Sequence, residues 1–160
     1  MGRGAVVCLL TAVLGALGGC GSGKVPIDEQ DVSAADAATC AALVEDLPDT
    51  LAGELRRSVD PDDALGAAWG DPAYVLTCGV PKPGSYTRNA TCNDFGGTGW
   101  FVPDDELGDL RVDAHAVALT HTPYVELLVP TRYRTEGIDA ALSELAPILK
   151  KHLAAGEPCL

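Results

Sequence analysis

An apolar N-terminal run that ends at Cys20 decides which part of this chain is left to fold. Residues 1–3 make a short positively charged start, residues 5–17 are almost wholly apolar, and Leu-Gly-Gly precedes the cysteine. This order is typical of a secretory signal peptide with a small-residue cleavage site. The run is also shorter and richer in glycine than a transmembrane helix, which needs roughly 20 apolar residues. The pattern therefore predicts a signal peptide over residues 1–19.

The cysteine at the end of this run carries a second prediction. Leu17-Gly-Gly-Cys20 resembles a bacterial lipobox, in which the cysteine thiol is lipidated and becomes the first residue of the mature protein. The resemblance implies a palmitate-type lipid anchor on Cys20 at the extracytoplasmic face of the cell membrane, and ordinary cleavage with secretion is the alternative. Residues 18–24 also fit the spacing of a phosphate-binding loop, but Val25 stands where that motif needs Ser or Thr. We expect no nucleotide site there.

Length and charge narrow the remaining choices. The residues after the signal peptide suffice for one domain with one core. The formal net charge is −12 and becomes one unit more negative when Arg3 leaves with the signal peptide. Such acidity argues against nucleic-acid binding and against attraction to anionic lipid head groups. Solubility is the simplest role for the charge, and recognition of a basic partner is the alternative.

Four cysteines follow Cys20 in the chain, namely Cys40, Cys78, Cys92 and Cys159. An even number in an oxidising compartment predicts two disulfides, and three pairings are compatible with the sequence. We favour Cys78–Cys92, because both lie at the edges of strands joined by one loop, with Cys40–Cys159 tying the first helix to the C-terminus. A zinc site is the alternative, but the chain has no Cys-x-x-Cys pair. No metal and no cofactor are expected.

Helical patterns occupy both ends of the domain. Residues 20–33 are polar and rich in Gly and Pro, which predicts a flexible tether, and residues 34–160 form the predicted single domain. Ser33-Ala-Ala-Asp36 resembles a capping box and opens a helix that runs toward Leu47. Further short helices are predicted over residues 49–57 and from residue 60 to about residue 69. An apolar stripe from residue 138 to 153 predicts a C-terminal helix with a kink or restart at Pro147.

The middle of the chain has the patterns of strands. Four runs are bounded by Pro or Gly or alternate in hydropathy, at residues 74–80, 99–102, 110–120 and 124–129. In the third run, Leu110 and Val112 are expected on the same face as the alanines at 114, 116 and 118. Residues 120–123 suit a hairpin turn. We therefore expect an α+β fold, with an antiparallel sheet of about four strands packed by N-terminal and C-terminal helices.

An ordered series of motifs suggests a family. Trp69-Gly-Asp-Pro72 is followed by Cys78-Gly-Val80, Cys92, Trp100 and Val129-Pro130, after the lipobox and the early Cys40. This series resembles a family of short actinobacterial cell-envelope lipoproteins known only as a domain of unknown function. The resemblance covers roughly residues 38–159. It implies an envelope location and brings no catalytic residue with it.

Gly-x-Ser-x-Gly, His-Glu-x-x-His and Ser-x-x-Lys are missing from the sequence. His115 and His121 lie on a strand and its adjoining turn, so the two could approach one another, although surface or half-buried histidines are the favoured explanation. A histidine beside Asp113 or Glu126 is conceivable as an acid–base pair. We expect the chain not to be an enzyme.

Recognition is the remaining class of function. Trp69, Tyr86, Arg88 and Trp100 could gather near the Cys78 and Cys92 ends of the sheet, and Trp and Arg are enriched at interface hot spots. Core packing is the favoured alternative for both tryptophans, because the chain has few aromatic residues. The sequence thus predicts a membrane-anchored extracytoplasmic lipoprotein without evident catalysis, an interaction module with a protein partner in the cell envelope. A small-ligand-binding lipoprotein is the alternative, and an enzyme comes third.

Overall fold

Eight strands form one antiparallel sheet, and the two long helices lie on one of its faces. The computed structural model describes residues 23–87 and 89–159. The predicted signal peptide, Cys20 and Arg88 lie outside the described residues. The helices are α1 (Ala34–Asp46), α2 (Asp104–Gly108), α3 (Thr131–Arg134) and α4 (Asp139–His152). Within the described residues, none of these helices has the length and apolar character needed to cross a bilayer.

The strands are β1 (Val25–Pro26), β2 (Thr50–Leu51), β3 (Glu54–Arg57), β4 (Val59–Asp60), β5 (Gly66–Trp69), β6 (Tyr74–Cys78), β7 (Cys92–Phe95), β8 (Thr98–Phe101), β9 (Ala114–Ala118), β10 (His121–Thr122), β11 (Val125–Val129) and β12 (Ala154–Ala155). Eight of them follow the order β2-β3-β5-β6-β11-β9-β8-β7 across the sheet. Outside it, β1 pairs with β4 in parallel and β10 pairs with β12 in antiparallel fashion.

Alternation along the strands separates two faces of the sheet. Leu127 of β11 aligns with Leu76 and Ala116 on the neighbouring strands. These side chains lie on the face of the sheet that packs against α1 and α4 to form the main core, which we call the helix face. The next position, Glu126, lies on the opposite face, which we call the loop face. There Phe101, Val117 and Leu119 make a second, smaller apolar cluster beneath irregular chain segments. The predicted placement of the long helices over one face is thus confirmed, but the sheet has eight strands instead of about four.

Helix α1 forms as its capping sequence predicts. The Ser33 hydroxyl accepts a hydrogen bond from the amide of Asp36 at 3.1 Å, and the helix ends before Leu47. Carbonyls at the end of a helix lack intrahelical partners. Arg56 donates to two of them, at Val44 and Leu47, over 3.0 and 2.8 Å. The C-terminus of α1 is therefore joined to strand β3.

Two predicted helices are strands. Residues 49–57 form the β2–β3 hairpin, whose turn places Ala52 at φ 48° and Gly53 at φ 82°. Positive φ at both turn residues matches the right-handed twist of the flanking strands. Residues 60–69 contain the end of β4 and all of β5, and every residue from Gly66 to Trp69 is buried. A short strand buried on both faces has no alternation, so its pattern cannot be told from that of a helix.

The other strand predictions hold in part. The run at 124–129 is confirmed as β11, and the run at 74–80 as β6, which ends at Cys78. Strand β7 was not predicted; it joins β8 through Gly96 and Gly97, both at positive φ. The run at 110–120 is a strand only over β9, and Leu110 and Val112 are exposed instead of facing the core. Helix α4 continues through Pro147 without the predicted restart.

The predicted tether is packed on the domain wherever it is described. Arg57 donates one hydrogen bond to the carbonyl of Gly23 at 2.9 Å and another to that of Gly70 at 3.0 Å. Lys24 pairs with Asp62 at 2.7 Å, and Ile27 is only 5% exposed. Residues 23–33 are therefore not a flexible tether. The polar sequence of this segment suggested a tether, but its partners lie far along the chain and could not be inferred from the segment alone.

The favoured disulfide pairing is also wrong. Cys40 is bonded to Cys78 and Cys92 to Cys159, with Cα atoms 5.6 and 5.8 Å apart. Cys78 points to the helix face, where α1 carries Cys40. Cys92 is paired with Phe101 and so points to the loop face, where the C-terminal tail brings Cys159. Cys78 and Cys92 cannot meet, because they lie on opposite faces of the sheet.

Candidate functional site

An open cleft lies on the loop face, at the end of the sheet where β6 stops and β11 starts. The loop of residues 79–91 forms one wall and residues 156–159 form the other, and they enclose about 610 Å³. We call it the tyrosine cleft. Its side-chain lining is Lys82, Tyr86, Thr87, Leu119, Thr122, Tyr124, Glu157, Pro158 and Cys159.

The loop wall is built around Tyr86. Its ring meets Phe101 edge to face, with centroids 5.2 Å apart, and its backbone amide donates to the carbonyl of Pro83 at 3.1 Å. The ammonium of Lys82 lies 4.9 Å from the Tyr86 ring centroid, within range of a cation–π interaction. An aromatic ring fixed on one side by apolar packing retains an exposed polar edge. The loop wall therefore offers both an apolar surface, the Tyr86 ring, and polar groups, the Tyr86 hydroxyl and the Lys82 ammonium.

The tail wall is held by three kinds of link. Strand β12 pairs with β10, the amide of Gly156 donates to the carbonyl of Thr120 at 2.8 Å, and Cys159 is bonded to Cys92. Gly99 lies under this tail, and a Cβ atom there would come within 2.7 Å of the Thr120 methyl group and closer still to the Cys159 sulfur. The absence of a side chain at Gly99 is what lets the tail lie this close to β8.

A second cleft, of about 480 Å³, lies on the other side of the tail and contains His121. The imidazole is 7% exposed, and its Nδ1 lies 3.1 Å from the hydroxyl of Thr120. That hydroxyl also accepts the amide of Gly99 at 2.8 Å, so it can donate its proton to a neutral ring. Burial lowers the pKa of His121, and the positive charge of Lys150 lowers it further.

The lowered pKa of His121 predicts a loss of stability on acidification. Its ordinary pKa is about 6.5, so below that pH the unfolded chain binds a proton that the folded chain does not. The free energy of unfolding should therefore fall as pH drops from about 6.5 toward the folded-state pKa, by at most about 1.4 kcal/mol per pH unit. Urea unfolding between pH 5 and 7.5 measures this slope. His121→Gln should flatten the slope in that window, and an unchanged slope would contradict the assignment.

The predicted site residues do not come together. Trp69 and Trp100 are fully buried in the main core, as expected if they serve packing and not recognition. Tyr86 instead lies in the tyrosine cleft. Arg88 and the lipidation residue Cys20 lie outside the described residues. Of the three members of the predicted recognition surface that the structure describes, only Tyr86 lines the tyrosine cleft. The tryptophans belong to the helix face because they alternate with residues of the loop face along β5 and β8.

The two central histidines also have separate partners. Among the described residues, His115 and His121 share no hydrogen bond. The backbone amide of His115 donates to the Glu106 carboxylate at 2.7 Å, and the His115 Nδ1 lies 3.1 Å from the same carboxylate. Asp113 instead accepts bonds from the amide and hydroxyl of Thr131, which lower the pKa of that carboxyl. Burial raises the pKa of Glu126 on the loop face. The carboxylate hydrogen-bonded to His115 is thus Glu106, and not the Asp113 or Glu126 that the sequence analysis considered.

Within residues 23–87 and 89–159, no three His, Cys, Asp or Glu side chains are grouped as metal ligands. The chemistry available in the tyrosine cleft is recognition: two aromatic rings, one ammonium, one carboxylate and two threonine hydroxyls around an aliphatic floor. Lys82, Tyr124 and Glu157 were missed by the sequence analysis. Had the sequence analysis favoured the pairing of Cys92 with Cys159, it would have placed the tail, and hence Glu157, beside the loop.

Comparison with known proteins identifies a family and no function. The family model described as "Protein of unknown function (DUF3515)" matches residues 4–158. Neither the curated proteins nor the solved structures gave a match. Because the family model spans nearly the whole sequence, the chain belongs to this family.

Proposed function

We propose that this DUF3515 member is a lipid-anchored, extracytoplasmic lipoprotein of the cell envelope that uses the tyrosine cleft to bind a protein partner. The observation that carries the proposal is how the cysteines are paired. All four cysteines of the domain are paired in two disulfides, which persist in oxidising compartments. Cys20 has no counterpart among them and follows a signal-peptide pattern, which favours lipidation over a structural role.

The position of the N-terminus supports a cleft that faces away from the membrane. Arg57 holds Gly23 beside Gly70, in the turn between β5 and β6, and only two residues separate Gly23 from Cys20. Three residues of extended chain reach about 11 Å at most. The tyrosine cleft lies beyond the other end of β6. An anchor on Cys20 would therefore keep the Gly70 end near the bilayer and present the cleft to the surroundings.

Binding is favoured over catalysis because the three histidines are already engaged in contacts with other side chains of the domain. His115 is engaged by Glu106, His152 by Asp46 and His121 by Thr120. A recognition site needs a few polar groups around an apolar centre, and the cleft offers these. A small ligand is the second candidate, because about 610 Å³ lies within the usual range of ligand pockets, roughly 300–1,000 Å³.

Metabolic labelling with palmitate tests the anchor. The unmodified chain should incorporate the label and remain with the membrane fraction, whereas Cys20→Ser should stay an unlabelled precursor. Cys8→Ser is the matched control, since Cys8 also lies in the N-terminal run but does not follow a small-residue site. Continued labelling of Cys20→Ser, or loss of label from Cys8→Ser, would contradict anchoring at Cys20.

Photo-crosslinking from the cleft tests the binding site. A photoreactive phenylalanine at Tyr86 or Tyr124 should form adducts with one recurrent protein in the native envelope. The same group at Ser143, which is exposed on α4 across the sheet, should not. Adducts with a glycan or other small molecule would move the proposal to ligand binding. Equal adducts at all three positions, or none at the two tyrosines, would rule the cleft out as the contact site.

A further inference from the structure

Exposed aliphatic side chains are concentrated in one short segment, far from the tyrosine cleft. Four large hydrophobic side chains are exposed among the described residues, and three of them lie within residues 107–112. Leu107, Leu110 and Val112 are 39, 49 and 40% exposed. Single exposed hydrophobic residues are normal on a protein surface, whereas three within six residues of chain point to a contact surface.

The backbone of this segment is fixed in place. Glu106 accepts bonds from the amide and ring of His115, and Asp113 accepts two bonds from Thr131, over 2.6 and 2.7 Å. Arg134 lies beneath the segment, is 3% exposed and donates to the carbonyl of Glu106 at 2.6 Å. Its Nε and Nη1 atoms have no hydrogen-bond partner among the described residues. A buried guanidinium with so few partners is costly, and here its one bond fixes the backbone of the segment at the Glu106 carbonyl.

The charge around the aliphatic side chains has one sign. Residues 104–113 hold five carboxylates and a single cation, Arg111. The Arg111 guanidinium is already engaged by Asp109 in two bonds of 2.9 Å. Asp104 and Asp105 are exposed. The surface therefore combines a fixed apolar strip with an excess of negative charge, which we call the acidic apolar segment (residues 104–113).

We propose that the acidic apolar segment is a docking surface for a protein partner that presents a basic, amphipathic stretch of chain. The aliphatic side chains would supply the desolvated centre of the contact, and the carboxylates would select lysine- or arginine-bearing partners and speed their approach. Because the backbone is held by Glu106, Asp113 and Arg134, little conformational freedom is lost on binding. The segment precedes β9 at the end of the sheet opposite the tyrosine cleft, which is also the Gly70 end, so a partner docked there would be membrane-proximal and would leave the tyrosine cleft free.

Two other occupants fit the observations less well. Helices that lie in a membrane interface are rich in Lys and Arg on their polar face, and anionic lipids repel carboxylates. A second copy of the chain would bring the same five carboxylates together across a two-fold axis. A basic partner alone complements both the charge and the apolar strip.

Binding of a defined peptide tests the proposal. The probe is a synthetic helix of about 18 residues with leucines on one face and lysines on the other, titrated into residues 20–160 carrying Cys20→Ser. We expect it to bind at least about tenfold tighter than a counterpart with glutamates in place of lysines. The peptide should shift the backbone amide resonances of residues 104–113 and leave those of the tyrosine cleft unchanged.

Matched variants decide whether the apolar strip is responsible. Leu110→Asp should weaken the lysine peptide at least about tenfold. Leu55→Asp introduces the same charge at a 71% exposed leucine on β3 and should change the affinity by less than about twofold. Equal effects of the two variants would overturn the proposal. So would binding to phosphatidylglycerol vesicles, or dimerisation, that Leu110→Asp abolishes, because either would identify a different occupant.

Discussion

Replacement of Trp69 by Ala should lower the free energy of unfolding by about 3–5 kcal/mol, the usual range for a fully buried tryptophan. Its side chain has no exposed surface, and its Nε1–H donates to the carbonyl of Pro48 at 2.9 Å. The guanidinium of Arg56 also lies 5.9 Å from the indole centroid. Trp69 thus joins the central sheet to the chain that leaves α1. Chemical denaturation followed by far-UV circular dichroism measures the change.

Trp100 provides the matched control, because it is equally buried but differs in one bond. Its Nε1 atom has no hydrogen-bond partner among the described residues. Phe in place of either tryptophan removes a similar volume, but only Trp69→Phe leaves the partly buried Pro48 carbonyl without its donor. A fully buried unsatisfied polar group costs about 1–3 kcal/mol, so Trp69→Phe should be more destabilising than Trp100→Phe by about 1 kcal/mol, the lower end of that range. An equal or reversed order would contradict the structural role assigned to the Pro48 bond.

This role bears on the ordered motifs that suggested the family. Trp69-Gly-Asp-Pro72 is a turn whose tryptophan bonds the Pro48 carbonyl just after α1 and whose Gly70 carbonyl accepts a bond from Arg57. A Cβ at Gly70 would meet the Tyr133 hydroxyl within 2.6 Å, and its φ of 80° suits glycine. Cys78 is likewise committed, through its bond to Cys40. The motifs of the series are therefore explained by folding, and functional surfaces must be sought elsewhere.

Parts of the fold could be predicted because their causes are local. A capping serine starts α1, Pro130 ends β11, and an apolar stripe marks α4. Each pattern is complete within about a dozen residues, so no distant contact is needed to interpret it. These elements were predicted with nearly correct bounds.

Other parts could not be predicted, because their causes are distant in sequence. Gly66 to Trp69 form a strand only because strands β3 and β6 flank them, and residues 23–33 are ordered by Arg57 and Asp62. The same reason limits the site. The loop carrying Tyr86 is irregular enough to single out from sequence, whereas the opposite wall comes from the last residues of the chain. That wall could be found only from the true partner of Cys92.

Removal of the Cys40–Cys78 disulfide should have the second large effect. Cys40→Ala with Cys78→Ala should lower the free energy of unfolding by about 4 kcal/mol, because the bridge closes a loop with a sequence separation of 38 residues and restricts the unfolded chain. Both sulfurs are buried between α1 and the sheet. Denaturation under non-reducing conditions measures the loss. The double variant should unfold in one transition at lower denaturant, since α1 and the sheet share the main core.

The Cys92–Cys159 disulfide makes the comparison informative. Its sequence separation of 67 residues would give a similar or slightly larger effect if unfolded-chain entropy alone decided the outcome. However, the tail is otherwise held by the two-residue pairing of β12 with β10 and the Gly156–Thr120 hydrogen bond, so it can detach while the sheet stays folded. Cys92→Ala with Cys159→Ala should therefore cost clearly less than 4 kcal/mol, yet hydrogen exchange should accelerate over residues 153–159 and the tyrosine cleft should lose one wall. Equal stability losses in the two double variants, with uniform exchange, would instead make the tail part of the same cooperative unit as the sheet.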